Sequence, residues 1–225
     1  MLTGALLTAT LMPTAALGQT DGIVPDRKPA TGSTSASAPT QASTAPEAAR
    51  APSEVMAAFH AALDSAARGG DSLGYQGRYD LLKPVVEATF DLPTMTRVAV
   101  GTRWADLAGA EQDALVEAFT AFTVANWASR FATPGDRRFE ITGERDIQPP
   151  GRMVETVLID GTTRVAINYV LREAGGRWRV ADVFLAGTIS ELATRRSEFA
   201  SILAQQGAAG LVTALEDRVR RMAAS

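Results

Sequence analysis

One stretch, residues 177–199 with the sequence RWRVADVFLAGTISELATRRSEF, constrains the fold most strongly because it joins two kinds of element. Its first half predicts a β-strand, since its side chains alternate between two mostly apolar faces and strand residues point to opposite faces with period two. Gly187 interrupts the strand, and the T-x-x-E spacing of Thr188 and Glu191 is typical of a capping box at the start of a helix. The stretch therefore predicts a strand that leads directly into a helix.

Asp182 is the polar residue that fits this strand least well. Strict alternation places it on the same face as Trp178, Val180 and Phe184. A buried carboxylate needs a cationic partner or several hydrogen-bond donors. We therefore expect Asp182 to belong to a site, and an ion pair with Arg97 is the simplest partner that the sequence offers.

The N-terminal third of the chain differs in composition from the rest. Residues 1–18 are uncharged and mostly apolar, and they end in a small-x-small pattern, which predicts a cleaved secretory signal peptide. Because no positive charge precedes the apolar run, an uncleaved N-terminal anchor and a chance apolar tail remain alternatives. Residues 19–50 are rich in Ala, Ser, Thr and Pro and predict a disordered linker. Residues 51–225 then form one domain of ordinary size.

This chain lacks the residues that several classes of function require. It contains no cysteine and one histidine, which excludes cysteine chemistry and leaves no basis for histidine-dependent nucleophiles or histidine-rich metal sites. The net charge is −3 and no run of Lys or Arg occurs, so nucleic acid is not an expected partner. We expect no metal, no cofactor and no catalytic residue.

The first half of the domain has helical periodicity. Apolar residues at helical spacing predict helices over residues 51–68 and 75–90, the second divided into two by Pro84. Asp91 can cap a further helix that Gly101 ends. The longest pattern, residues 108–131, has an apolar arc wider than one contact surface requires. This helix therefore contacts either a second helix or a cavity in addition to the core.

The second half of the domain changes to period two and then returns to helical spacing. Glycine-containing turns separate four candidate strands, and the connections are too short for crossover helices, so the sheet is expected to be antiparallel. The predicted strands are 138–142, 152–160, 162–172 and 177–185, and the closing helices are 188–206 and 208–224 with Gly207 between them. The predicted class is α+β: a twisted antiparallel sheet of about four strands wrapped by about six or seven helices, with an apolar cavity between them.

These elements carry more apolar surface than one sheet and its helices need. Binding of an apolar ligand between sheet and helices is the natural use of such surface. An interaction or scaffold module with a solid core is the alternative. A hydrolase that pairs Asp182 with Glu155 is a third hypothesis, although no nucleophile accompanies these carboxylates.

Four segments in order carry a resemblance to a known family. RYDLLKPVVEATFDLPTM, VGTRW, EQDALVEAF and the stretch 177–199 resemble the MlaC, or toluene-tolerance, family of periplasmic lipid-binding proteins from residue 78 to the end of the chain. The segment GTISELATRRSEF resembles the hopanoid-associated branch, HpnM, most. The resemblance implies a periplasmic carrier, an auxiliary component of an ABC-type lipid transport system. In this family acyl chains lie between sheet and helices and the headgroup stays near the mouth.

The resemblance and the apolar pattern together predict site residues and partners. Lining residues are expected to be Phe90, Met95, Val98, Phe119, Phe122, Trp127, Val165, Ile167, Tyr169, Val180, Phe184, Ile189, Leu192 and Phe199. Polar or headgroup positions are expected to be Arg97, Asp182, Arg195 and Arg196. The expected partners are a phospholipid or hopanoid and membrane-bound lipid transport complexes, and the mature chain is not expected to span a membrane.

Overall fold

A computed structural model describes residues 50–132, 137–148 and 150–224. The predicted signal peptide, and all of the predicted linker except Arg50, lie outside the described residues and stay predictions. The described elements are α1 Pro52–Thr89, α2 Leu92–Val100, a 3₁₀-helix Gly101–Asp106, α3 Gly109–Arg130, β1 Arg138–Ile147, β2 Gly151–Asp160, β3 Thr163–Ala174, β4 Arg177–Leu185, β5 Ile189–Ser190 and α4 Glu191–Ala223.

The sheet is antiparallel, and its strands follow one another in chain order from β1 to β5. The predicted class, α+β, is confirmed, and so is the presence of the four predicted strands, although β1 continues to Ile147 whereas the prediction ended it at Thr142. The two-residue strand β5 was not predicted because its partners, Phe184 and Leu185, are fixed only by the tertiary fold. Tight turns at Gly161, with φ 58°, and at Gly175 and Gly176 use the left-handed backbone region that glycine adopts without strain.

A β-bulge in β4 changes the direction of its side chains. Val170 of β3 pairs with Asp182, but the next residue, Leu171, pairs with Val180. Ala181 is therefore an extra residue without a partner in β3, and such a residue shifts the alternation of the strand by one.

The bulge overturns the prediction that Trp178, Val180, Asp182 and Phe184 share one face. Val180 and Val183 are the two buried residues of the strand, whereas Asp182 and Phe184 are half-buried. Strict alternation cannot reveal a bulge, because the extra residue has no distinctive type.

The number of helices also differs from the prediction of six or seven. α1 contains the expected break, with Gly70 and Gly74 at positive φ, but it continues through Pro84 to Thr89. Two predicted helices are therefore one, because Leu82 and Val86 on either side of Pro84 are fully buried and hold the segment helical. α4 is counted as one helix, but Gly207, which is non-helical with φ 69°, interrupts it where the sequence predicts the boundary between two helices.

Other predicted helix ends are confirmed. Asp91 caps α2, since its Oδ1 accepts a hydrogen bond of 3.3 Å from the backbone N–H of Thr94. Gly101 ends the helix with φ 72°. None of the helices in the described ranges is both long enough and apolar enough to cross a membrane.

The core lies between the helices and the sheet. Phe59 is at its centre and packs edge-on against Phe90, Trp127 and Tyr169, with ring centroids 5.1–6.4 Å apart. These contacts join α1, α3 and β3, and they align the elements that surround the site described below.

A buried arginine ties α3 to the glycine break in α1. Arg78 is 7% exposed, and its Nε donates to the carbonyl of Ala128 at 3.1 Å while its Nη1 donates to the carbonyl of Gly70 at 3.2 Å. Both carbonyls lie near the end of a helical segment, where backbone acceptors lack helical partners and the helix dipole favours a cation.

Candidate functional site

A cavity of about 70 Å³ lies between β4 and the helices α2, α3 and α4. Its lining is mostly apolar, and the polar residues of the lining are half-buried or exposed. The apolar wall consists of Phe90, Met95, Phe119, Phe122, Trp127, Val183, Leu185 and Leu192. We call the remaining lining residues the polar rim: Thr123, Asn126, Arg130, Glu191 and Arg195.

Helix α3 supplies both parts of the site. Thr123, Asn126 and Arg130 follow one another at helical spacing and form the α3 side of the polar rim. The neighbouring stripe contributes aromatic residues to the apolar wall. The broad apolar arc of this helix thus has both predicted uses, since α3 packs against α1 and α4 and also lines the cavity.

Arg195 is held in place on the α4 side of the polar rim. Its guanidinium pairs with Glu191 at 3.2 Å and Glu198 at 2.9 Å, and it lies 5.1 Å from the centre of the Phe122 ring. Its side chain is 11% exposed. Two carboxylates therefore balance the charge of Arg195, which is a fixed member of the polar rim rather than a free cation.

Glu198 links Arg195 to a second arginine, Arg218, whose Nη1 is 3.2 Å from the same carboxylate oxygen. Burial raises the pKa of Glu198, but the hydrogen bonds and charges of the two arginines outweigh burial and hold the pKa below its usual value. The carboxylate is therefore ionised at neutral pH and links residues of α4 on either side of Gly207.

Arg130 differs from Arg195 because none of the carboxylates in the described ranges lies within salt-bridge distance of it. Its Nε donates to Asn126 Oδ1 at 3.1 Å, and its side chain forms no other hydrogen bond with the residues that the structure describes. Partial burial lowers the pKa of Arg130, and Glu191 and Arg195 act on it in opposite directions.

Asp182 fixes the start of α4, the helix that covers one side of the cavity. Its Oδ1 accepts from the backbone N–H of Val183 at 2.7 Å and of Leu192 at 3.2 Å, and its Oδ2 accepts from Ser190 Oγ at 2.6 Å. Three donors and a helix N-terminus therefore stabilise this carboxylate. The predicted ion pair with Arg97 is not formed.

The cap of α4 also corrects a sequence prediction. The helix begins after Ser190, whose Oγ accepts from the backbone N–H of Ala193 at 2.9 Å, and not at Thr188 with a Thr188–Glu191 capping box. Strand pairing of Ile189 and Ser190 with β4 keeps the preceding residues extended. The hydroxyl of Ser190 thus accepts a hydrogen bond from the helix backbone and donates one to Asp182.

The structure brings together seven of the predicted site residues and separates the others. The residues that line the cavity are Phe90, Met95, Phe119, Phe122, Trp127, Leu192 and Arg195. Four others are buried in the packed core outside the lining: Ile167, Tyr169, Val180 and Phe199. Phe184 is half-buried, and Val98, Val165 and Ile189 are exposed by 39%, 37% and 55%. Arg97 and Arg196 are exposed and Asp182 is half-buried, and none of the three lines the cavity.

Six of the lining residues were not predicted from the sequence. They are Thr123, Asn126, Arg130, Val183, Leu185 and Glu191. Helical spacing from Phe119 indicates Thr123 and Asn126, but the lining residues predicted on this helix are all apolar. Val183 and Leu185 were assigned to the wrong face because of the bulge at Ala181.

Two further hollows have a larger polar share of their walls. One, of about 250 Å³, contains Arg68, Arg137 and Arg138, and the other, of about 320 Å³, contains Arg50 and Arg177. Among the described residues no cluster of His, Asp or Glu could hold a metal ion. The apolar cavity is therefore the candidate site for an apolar ligand.

The single histidine, for which the sequence predicts no role, borders the first of these hollows. His60 is 7% exposed, stacks on Phe139 with ring centroids 4.0 Å apart, and lies 3.4 Å from the hydroxyl of Tyr169. Burial lowers the pKa of His60 from 6.5 to about 4. The ring is therefore neutral in the folded protein at neutral pH.

We expect this histidine to make stability depend on pH. The unfolded chain binds a proton near pH 6.5, so the contribution is complete above that pH and is lost as the pH falls toward 4. Between pH 7 and pH 5 the free energy of unfolding should fall by about 2 kcal/mol in the wild type. Urea unfolding at both pH values measures the loss, and His60→Gln should reduce it. An imidazole proton signal that titrates near pH 6.5 would contradict this prediction.

Comparison with known proteins places the fold. A solved structure that matches this chain is the phospholipid-binding protein from Ralstonia solanacearum, determined in complex with a phospholipid. The identity is 18%, the match covers 75% of this chain and 97% of that chain, and the TM-score is 0.66. At this identity the match shows a shared fold. No curated protein matches the sequence.

A family comparison shows more than a shared fold. The family described as MlaC protein matches residues 58–217, which include all the residues of the apolar cavity and its polar rim. The match covers well over half of the chain and agrees with the resemblance of its sequence segments. This chain therefore belongs to the MlaC family.

Proposed function

We propose that this chain is an exported, non-catalytic carrier that binds a membrane lipid in the apolar cavity and moves it between envelope membranes. The carried lipid is a phospholipid or, following the resemblance to the HpnM branch, a hopanoid. The periplasm is its place of action, and membrane-bound transport complexes load and unload it.

The observation that carries the proposal is the composition of the cavity wall. Eight apolar side chains line one space, and the polar residues of the lining are half-buried or exposed. This arrangement matches an amphiphile with a buried chain and an exposed headgroup. The shared fold with a protein solved in complex with a phospholipid supports the same interpretation.

Energetics favour a carrier that encloses its cargo. Exposing about 30 methylene groups to water costs about 25 kcal/mol, at roughly 0.8 kcal/mol for each group. A lipid that crosses an aqueous space must therefore be mostly covered.

The cavity must enlarge to do this, because its volume of about 70 Å³ is well below the roughly 300–1,000 Å³ of typical ligand pockets. The first part of α4 is suited to the movement, since it lies between Gly187, with φ 75°, and Gly207, with φ 69°. Both positions can change backbone conformation at low cost.

Native mass spectrometry of the protein, purified from its own envelope without detergent, tests the proposal. We expect a bound lipid in stoichiometric amount, and extraction identifies it as phospholipid or hopanoid. Hydrogen exchange with and without that lipid should show slower exchange in the first part of α4 when lipid is bound. Equal exchange in both states would contradict the opening movement.

The small cavity volume also favours a second candidate, an interaction module of an envelope complex whose core is packed solid. The same experiment separates the two. A protein that carries no lipid and also takes up none from added vesicles would support the interaction module and contradict the carrier.

A further inference from the structure

We propose that Arg130, oriented by Asn126, selects lipids with an acidic headgroup over lipids with an uncharged one. The ligand class is an amphiphile whose polar end carries a phosphate or a carboxylate. This inference rests on the proposed carrier function and adds a specificity residue at the same cavity.

The geometry of the polar rim leaves one side of the Arg130 guanidinium available. The hydrogen bond from Nε to Asn126 Oδ1, 3.1 Å, restricts its orientation. Its own backbone carbonyl accepts from Arg137 Nη1 at 3.0 Å, which holds the end of α3. The two terminal nitrogens form no hydrogen bond with any described residue. A planar guanidinium with free terminal N–H groups matches the geometry of phosphate and carboxylate oxygens.

The charges around the cavity favour this residue over Arg195. Arg195 has two carboxylate partners, Glu191 and Glu198, so a ligand would have to displace existing ion pairs to bind it. Arg130 has none within salt-bridge distance among the described residues. The polar rim contains Arg130, Arg195 and Glu191 as its charged members, which leaves one positive charge in excess. An anion at the edge of the cavity neutralises that excess.

Other exposed arginines do not line the cavity. Arg97, Arg103 and Arg196 also form no ion pair with the residues that the structure describes, but none of them lines the cavity. They can attract an anion from solution without contacting the headgroup of a lipid whose chains are in the cavity. Arg103, on the 3₁₀-helix, is therefore a matched control for Arg130.

A competition experiment tests the inference. The purified chain, freed of lipid, is exposed to vesicles that contain equal amounts of a phosphatidylglycerol and a diacylglycerol with the same acyl chains, and native mass spectrometry gives the ratio of the two bound lipids. We expect the wild type to prefer phosphatidylglycerol roughly tenfold, as one charge-assisted contact predicts. Arg130→Gln should bring the ratio close to one, and Arg103→Gln should keep the wild-type ratio. A fatty acid of the same chain length, added in a third arm, distinguishes recognition of a carboxylate from recognition of a phosphate.

The ratio separates the failure of this inference from the failure of the carrier proposal. If both lipids bind the wild type equally, or if Arg130→Gln retains the preference, Arg130 does not select the headgroup although the chain still binds lipid. If Arg103→Gln loses the preference as fully as Arg130→Gln, the effect is one of overall charge and the inference is wrong. If neither lipid binds, the carrier proposal fails and this inference fails with it.

Discussion

Replacing Asp182 by alanine should lower the free energy of unfolding by about 3 kcal/mol, because it removes the acceptor of three hydrogen bonds at the start of α4. The backbone N–H groups of Val183 and Leu192 and the hydroxyl of Ser190 would lose their partner in a half-buried place. Urea unfolding followed by circular dichroism measures the loss. In a thermal scan it corresponds to a shift of roughly 6–12 °C.

Two variants show whether the loss comes from this network. Asp146→Ala removes an aspartate whose side chain is 83% exposed and paired with Arg152, and it should cost at most about 0.5 kcal/mol. Ser190→Ala removes the hydroxyl that contacts Asp182 and caps α4, and it should cost about 1–2 kcal/mol. The variant that combines Asp182→Ala with Ser190→Ala should lose less stability than the sum of the losses in these two single variants. A loss below about 1 kcal/mol in Asp182→Ala would show that Asp182 does not anchor α4.

The same network relates stability to the candidate function. Leu192 and Arg195 lie within the first two turns of α4 and line the cavity. If the anchor at Asp182 is removed, these side chains lose their fixed position before the rest of the helix does. Asp182 thus acts through the helix that it positions, and the hydrolase hypothesis gains no support from its contacts. Glu155, the proposed second carboxylate, instead accepts from Arg145 at 3.0 Å.

Much of the fold could be predicted because the local signals agreed with the tertiary contacts. The period-two pattern gave the four long strands, and the glycines at 70, 101, 161 and 207 fall where the backbone has positive φ. Asp91 and Gly101 define α2 as expected. These features depend on neighbours in sequence, which a sequence shows directly.

The features that could not be predicted depend on contacts between distant residues. Pro84 does not end α1, because buried side chains on either side outweigh its missing N–H. The bulge at Ala181 follows from pairing with β3, and the cap at Ser190 follows from the hydrogen bond with Asp182. Each of these errors moved a boundary or a face without changing the fold class.

The candidate site was predicted less well than the fold, and for a physical reason. Apolar residues of the core and of a cavity wall have the same periodicity, so Tyr169 and Val180 could not be distinguished from Phe122 and Met95. Arg195 of the polar rim was predicted, but its α3 side was not, because polar residues such as Asn126 and Arg130 have the pattern of the solvent side of a helix. Two further charged residues predicted for the site, Arg97 of α2 and Arg196 of α4, are exposed and lie outside the lining.

Two residues of α2, both predicted from the sequence to line the cavity, give the sharpest test of the site. Met95 is 6% exposed and lines the cavity, whereas Val98, less than one turn away, is 39% exposed and does not. Met95→Glu should abolish lipid binding, with a loss of at least about 100-fold in affinity, because an acyl chain would have to lie against a carboxylate. Val98→Glu should bind lipid as the wild type does, since its carboxylate enters water. Native mass spectrometry after exposure to phosphatidylglycerol vesicles measures both.

The outcome must separate loss of the site from loss of the fold. Circular dichroism and urea unfolding show whether Met95→Glu is folded. If it is not folded, Met95→Gln introduces polarity without a charge and replaces it in the test. Met95→Leu keeps the apolar wall and should retain lipid binding. The larger loss expected for Met95→Glu than for Met95→Gln follows from the greater cost of burying a charged group than a neutral polar group. A folded Met95→Glu or Met95→Gln protein with full lipid content, or an equal loss in Val98→Glu, would show that lipid does not enter between α2, α3 and β4, and the site would have to be sought elsewhere on the sheet.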